Sequence, residues 1–313
     1  MAQGIEDGYL PACEITRRDT DLDEKGITRG DIEQLGAKDA TTGEPAPIAD
    51  IKDRYEAPSY EDKIQLPDRV KAWCTDLFTM FLQTGGPLQK TVIFCVRDTH
   101  AEMVADVMNN LYADWCVKNS QKRVDPYAFK CTAASGGSEY IADLRGSERT
   151  HFIATTVELI STGVDVPILR NIVFFKYVRS PISFHQMLGR GSRIHLPTNK
   201  LMFYVYDYTN ATRLLGKTSG GKPRQPRPPG PPVPPEKIIR VEGFDVHIND
   251  AGRFIITRVN DKLGKVTVEE YTQMVAAKLT QEVKTVNDLR EYWIDPEKRH
   301  ALIEILPDAG QGL

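Results

Sequence analysis

The stretch Ser180-Pro181-Ile182-Ser183-Phe184-His185-Gln186-Met187-Leu188-Gly189-Arg190-Gly191-Ser192-Arg193 gathers side chains that can act on a charged leaving group. Ser180 is a good amino-terminal cap and Pro181 a good first helical residue, so Gln186, Arg190 and Arg193, spaced i, i+4 and i+7, are expected on one face near the helix end. A guanidinium stays charged and presents a planar fork, which suits the charge that spreads over phosphoryl oxygens as a triphosphate bond breaks. The plainer alternative is a solvated helix face with ordinary ion pairs, but no acid lies within the stretch to pair with either arginine.

A second group is Ala154-Thr155-Thr156 at an expected strand end, followed by Ser161-Thr162-Gly163-Val164-Asp165-Val166-Pro167. Ligands of parallel sheets bind at the carboxyl ends of strands, where exposed Thr hydroxyls and loop amides suit phosphate oxygens. Gly163 allows close backbone approach, and Asp165 can accept from a ribose hydroxyl or orient an arginine. Read alone, the same residues also fit a turn in which Gly, Asp and Pro do conformational work only.

The elements that must position these residues follow from periodicity. A helix is predicted from Pro67, with Val70, Trp73, Leu77 and Phe81 as its apolar stripe and Gly85-Gly86 as its stop. Strands are predicted at Thr91–Val96, Tyr127–Cys131, His151–Thr156, Asn171–Lys176 and Leu201–Asp207, with a helix opened by a Thr99/Glu102 capping box and carried by Met103, Val107 and Leu111. Near-continuous apolar strands joined by helical crossovers imply an α/β fold with a parallel sheet covered on both faces.

Residues 1–66 read as an irregular lead-in segment, 67–218 as the α/β lobe, 219–236 as a linker and 237–313 as a further, mostly helical domain. The run Pro223–Pro235 holds eight prolines in thirteen residues, which makes a stiff extended spacer; a ligand for an aromatic-grooved module is the alternative. Beyond it, Phe244–Ile248 and Phe254–Val259 flank the turn signal Asn249-Asp250-Ala251-Gly252 and read as a hairpin. Three helices follow, with Thr267/Glu270 and Thr285/Asp288 as caps and Asp295-Pro296 as the third start, before Leu302, Ile303, Ile305 and Leu306.

Together, the two groups of residues resemble motifs V and VI of superfamily 2 helicases, and Thr91–Val96 looks like motif IV of that set. A closer resemblance is to the motor subunit of type I restriction enzymes, whose patterns TTxxLxxTGVD and QxxGRGxRI are matched from Thr155 to Asp165 and from Gln186 to Ile194. Ile5-Glu6-Asp7-Gly8-Tyr9-Leu10 is similar to the exit from that family's first motor lobe. The resemblance implies a second RecA-like lobe of an ATP-dependent double-stranded DNA translocase and endonuclease. Arg190 and Arg193 would be catalytic arginine fingers, Gln186, Gly189, Asp165 and Gly163 would line the nucleotide cleft, and Thr155 and Thr156 would touch the DNA backbone. ATP and Mg2+ would be held mainly by another lobe, and residues 237–313 would dock on the methyltransferase and specificity subunits.

What the sequence omits sharpens these expectations. No phosphate-cradling loop opens a helix: Ala211-Thr212-Arg213-Leu214-Leu215-Gly216-Lys217-Thr218 fits a relaxed pattern, but Gly220, Gly221 and the proline run follow at once. No acidic strand-end pair for magnesium and no PD-(D/E)xK nuclease cluster is found either, so the chain alone is expected to lack ATPase and nuclease activity. Forty basic and 43 acidic residues leave a net charge of −3, so any grip on nucleic acid must be local. Lys217, Lys222, Arg224, Arg227, Lys237 and Arg240 form one local basic stretch that could track phosphates or simply be a solvated linker. The five cysteines have no metal-ligand spacing, and neither a leader nor a bilayer-length apolar run is found; a cytoplasmic protein is expected, with no metal site of its own. Two other readings are an RNA-remodelling helicase lobe and a non-catalytic assembly module.

Overall fold

The computed structural model describes residues 12–132, 137–147, 149–158, 166–193, 195–198, 200–217, 237–259 and 262–304. In chain order its strands are β1 (Cys13–Thr20), β2 (Ile27–Thr28), β3 (Ala37–Asp39), β4 (Arg54–Tyr55), β5 (Ile64–Gln65), β6 (Thr91–Phe94), β7 (Ala128–Lys130), β8 (Ile153–Thr156), β9 (Asn171–Phe174), β10 (Phe203–Asp207), β11 (Ile239–Val241), β12 (Ile248–Val259) and β13 (Lys262–Val266). Its helices are α1 (Asp21–Lys25), α2 (Arg29–Leu35), α3 (Pro67–Thr84), α4 (Asp98–Lys118), α5 (Ile141–Gly146), α6 (Pro181–Leu188), α7 (Val268–Glu282), α8 (Val286–Ile294) and α9 (Pro296–Glu304).

The main sheet runs β13-β12-β1-β10-β9-β6-β8-β7. From β1 to β7 every neighbouring pair is parallel, whereas β12 is antiparallel to β1 and β13 to β12. The α/β class expected from the sequence is the one the chain adopts. Alternate strand residues enter two cores: Val92, Phe94, Ile172, Phe174 and Val205 on one face, Ile93, Val173, Phe175, Tyr206 and Tyr208 on the other. Burial on both faces is why these strands are apolar throughout.

Helix α3 starts at Pro67 and buries Val70, Trp73, Leu77 and Phe81 as predicted; Gly85, at φ +142°, ends it. Helix α4 departs from expectation. Its cap is Arg97, without a side-chain cap bond, because the Thr99 hydroxyl accepts instead from Gln65 (3.1 Å) and Glu102 pairs with Lys130 (3.0 Å). Its buried face is Ala101, Val104, Met108 and Tyr112, with Met103, Val107 and Leu111 only flanking it.

His100 belongs to that buried face at 1% exposure, and its Nδ1 accepts from the Val96 amide (3.2 Å). Burial lowers its pKa to about 3, with Arg69 pushing the same way. The ring is therefore neutral in the fold but protonates near 6.5 when unfolded. The stability this neutrality confers is complete above pH 6.5 and is lost as pH falls from there towards 3. Urea titrations at pH 7 and pH 5 are expected to show the parent losing more stability than His100→Gln, by up to about 1.4 kcal/mol per pH unit.

The segment 1–66, expected to be irregular, is folded from residue 12 onward. β1 lies inside the main sheet, and Leu22, Ile27, Ile32, Ile51, Tyr55, Tyr60, Ile64 and Leu66 form a third core together with Ile239 and Val241. The separate domain expected over 237–313 is corrected in the same way. β11 is hydrogen-bonded between β3 and β5, and β12 and β13 extend the main sheet, so only the helical part stands outside it. The expected hairpin about Asn249–Gly252 is instead continuous strand. Arg17 pairs with Gly252 and Arg18 with Asp250, which leaves Ala251 as the extra residue of a β-bulge. The antiparallel turnback falls one stage later, between β12 and β13. Helices α7 and α8 carry the capping boxes Thr267/Glu270 and Thr285/Asp288, and Asp295 receives the Glu297 amide (2.9 Å) at the start of α9. The linker 219–236, Ile5–Leu10, Ile305 and Leu306 lie outside the described residues. No helix among the described residues is long and apolar enough to cross a membrane.

Candidate functional site

Helix α6 leaves the carboxyl end of β9 with Ser180 accepting from the Ser183 amide (3.3 Å). Phe184 and Leu188 are fully buried, and Phe184 stacks on Phe174 at 5.4 Å. The helix thus lies back along the sheet and delivers its end to the amino edge of β9 and β10. It stops at Leu188 with Gly189 as cap, so Arg190 and Arg193 lie past its end and the shared helical face with Gln186 does not form. Gln186 is exposed on the last turn. A turn takes over, in which the Gly191 amide donates to Leu188 O (3.1 Å) and Ser192 Oγ to Gly189 O (2.8 Å). A Cβ on Gly191 would sit 2.5 Å from the Phe203 ring, so only glycine lets this turn touch the start of β10.

Sequence reasoning missed the residue that holds the turn. Lys200 is 1% exposed, and its Nζ donates to Pro167 O (2.9 Å), Gly191 O (2.9 Å) and Arg193 O (2.5 Å). Three donors of one ammonium meet three carbonyls, which offsets the cost of burying the charge. The carbonyls belong to the two stretches singled out from the sequence, so Lys200 pins the arginine turn beside Pro167. Arg193 is exposed and Arg190 half-buried, and both side chains reach solvent at this edge. Gly163 and Asp165 lie outside the described residues.

Thr155 and Thr156 end β8 at the opposite edge. Both are fully buried, which corrects the expectation of exposed hydroxyls: α4 covers Thr155, whose Oγ1 donates to Ala101 O (2.7 Å). Thr156 Oγ1 has no hydrogen-bond partner among the described residues. The relaxed phosphate-loop match opens no helix among the described residues. Ala211–Leu214 is one 3-10 turn, with the Thr212 amide and hydroxyl both bound to Asp207 (2.8 and 2.6 Å). Of the basic stretch, Lys237 pairs with Asp50 and Arg240 with Glu242; Lys222, Arg224 and Arg227 lie outside the described residues.

The carboxyl edge holds a cleft of about 420 Å³ that the sequence did not announce. One wall is the ends of β1, β9 and β10, carrying Arg17, Lys176 and Arg179; the other is the third core, carrying Asp23, Tyr60, Asp62 and Arg69. Arg69 lies 3.6 Å over the Trp73 ring and binds Asp23 (2.7 Å), with Glu61 at 3.7 Å; Asp62 binds Arg97 (2.7 Å). Burial pushes the Glu61 carboxyl up to about 7 against the pull of Arg69, and burial also raises Asp19.

No protein-family model matches the chain. It is 29% identical over 218 residues, 68% of its length, to the type I restriction enzyme EcoAI endonuclease subunit of Escherichia coli, of which it covers 25%. It is 28% identical over 260 residues, 82% of its length, to the EcoKI endonuclease subunit of Escherichia coli strain K12, of which it covers 21%. The chain thus spans a quarter or less of the length of these relatives. Among solved structures, a fragment assigned to an HsdR subunit of a type I restriction enzyme from Vibrio vulnificus YJ016 aligns with a TM-score of 0.45 and 28% identity, over 69% of this chain and 35% of that one. Over most of its length the chain is homologous to type I restriction endonuclease subunits.

Proposed function

We propose that the chain is the second motor lobe and carboxy-terminal region of the ATP-dependent DNA translocase and endonuclease subunit of a type I restriction-modification system. The observation that carries this reading is the arginine turn, fixed at the amino edge of the sheet by the three bonds of Lys200 and open to solvent at Arg193. A preorganised guanidinium pays little reorganisation when a phosphoryl group arrives, which is the condition for stabilising charge that develops only in the transition state. ATP with Mg2+, held mainly by a first lobe, supplies the bond whose cleavage drives movement. Arg190 and Arg193 complete that pocket from this side, and closure and opening of the two lobes steps the motor along duplex DNA.

Docking on the methyltransferase and specificity subunits is assigned to the helical part, because residues 239–266 are used in this lobe's own sheets. Helix α8 buries none of its residues and exposes Val286 (70%), Trp293 (46%) and Ile294 (79%), a stripe suited to a partner surface. In the intact subunit, ATP hydrolysis is expected to rise on addition of duplex DNA and to stay at its basal rate with duplex RNA, whose A-form grooves and 2′-hydroxyls present another surface. Equal stimulation by RNA would reassign the lobe to an RNA-remodelling helicase.

A further inference from the structure

We propose that the cleft at the carboxyl edge grips a backbone phosphate of the DNA through Arg17, Lys176 and Arg179, a contact outside both stretches discussed so far; the assignment rests on the DNA reading above. In open parallel sheets the crevice beyond the strand ends is where ligands bind. Here it is lined by three cations that form no ion pair among the described residues, with Arg17 acting on Asp19 at longer range, whereas Asp23 and Asp62 are committed to Arg69 and Arg97. Arg17 Nε is buried with no hydrogen-bond partner among the described residues, a donor that costs free energy until an acceptor arrives. Among the described residues Lys176 Nζ makes one bond, to Val157 O (3.1 Å), of the three an ammonium can donate.

The cations stand on rigid supports. Arg17 is within β1, and Lys176 and Arg179 follow β9 directly, ahead of the capped start of α6. The floor beneath them is the Trp73, Phe175 and Tyr208 cluster, with ring centroids 4.9 to 5.5 Å apart. Asp19, beside Arg17, and Glu24 also line the cleft, so these three cations face two further carboxylates. That near balance fits one singly charged phosphodiester and is too weak for a polyphosphate. Duplex DNA meets no bulk attraction from a chain of net charge −3, so its hold must come from such a local site. The position also keeps the grip on the opposite edge of the sheet from the arginine turn, so strand and nucleotide do not compete for the same cations.

The test is equilibrium binding of a short fluorescent DNA duplex to the whole chain across about 50 to 200 mM salt, where each phosphate contact contributes roughly one unit to the slope of log K against log salt. The double variant Arg17→Ala/Arg179→Ala is expected to reduce that slope by about one and to weaken binding about tenfold at the low-salt end. Arg179→Lys, which keeps the charge, is expected to keep the slope, and Arg190→Ala at the far edge to leave both quantities unchanged. DNA binding by the parent with the same slope in the double variant overturns the cleft assignment alone. Loss of slope in Arg179→Lys as well makes the change one of folding and equally overturns it. No DNA binding by the parent sinks the motor reading and the cleft together, and binding of inorganic triphosphate to the cleft in place of DNA overturns the choice of ligand.

Discussion

Replacing Arg190 by alanine in the intact motor subunit is expected to lower kcat for ATP hydrolysis by about a thousandfold or more while nucleotide affinity changes comparatively little. The asymmetry follows from where the charge appears. In the ground state ATP is held by its phosphate cradle and metal on the other lobe, whereas the guanidinium acts on the oxygens of the transferring phosphoryl group as the bond loosens. Arg190 follows a helix that ends at Leu188 and sits in a turn tied down at Gly191 and Arg193, so its backbone is placed before ATP arrives. Arg190→Lys keeps charge but not the planar fork and is expected to recover only part of the rate. Stopped-flow phosphate release at saturating DNA measures kcat, and fluorescent-nucleotide titration measures affinity. A rate within threefold of the parent, in a variant that melts normally, would remove the finger assignment.

The largest loss of stability is expected at Trp73. Its side chain is fully buried, 4.9 Å from the Phe175 ring and 5.5 Å from Tyr208, and it carries Arg69 on its face. Truncation of a buried Trp to Ala costs about 3 to 5 kcal/mol from lost transfer free energy and the cavity left behind. The indole N–H has no acceptor among the described residues, so removing it also removes an unsatisfied donor, and a value near the lower end, about 3 kcal/mol, is expected. Urea unfolding should show a lower midpoint with an unchanged slope, and Trp73→Phe should cost less than half as much. A Trp73→Ala loss below about 1 kcal/mol would mean that the cluster reseals and is not the firm floor of the cleft.

The difference between the legible and illegible parts of this fold is one of range. Strands β6 to β10 could be read because each is buried on both faces, and their apolar runs need no knowledge of partners. β1 could not. Its Glu14, Arg17 and Arg18 look like surface residues, yet Glu14 binds Arg253, Arg18 binds Asp76 and Asp250, and Arg17 lines the cleft. Its partners are β10 and β12, far along the chain, so nothing local marks it as a strand. The Asn249–Gly252 signal was real but ambiguous: glycine and asparagine also mark bulges, and pairing with β1 decides between the two. At the candidate site, residue types pointed to the arginine turn. They gave no sign of Lys200, a single lysine whose role exists only once three distant carbonyls converge on it.

The insertion of β1 between β10 and β12 also governs how this polypeptide matures on the ribosome. Glu14 and Arg253, joined across β1 and β12, are 239 positions apart. At about 5 to 20 residues per second, the nascent strand waits roughly ten to fifty seconds before its last neighbour is made. Through that interval it presents unpaired edges to other chains, a hazard its charged residues blunt. Premature termination before residue 248 would leave the interval open for good, so truncated products should be found with chaperones or in inclusion bodies, not as partly working lobes.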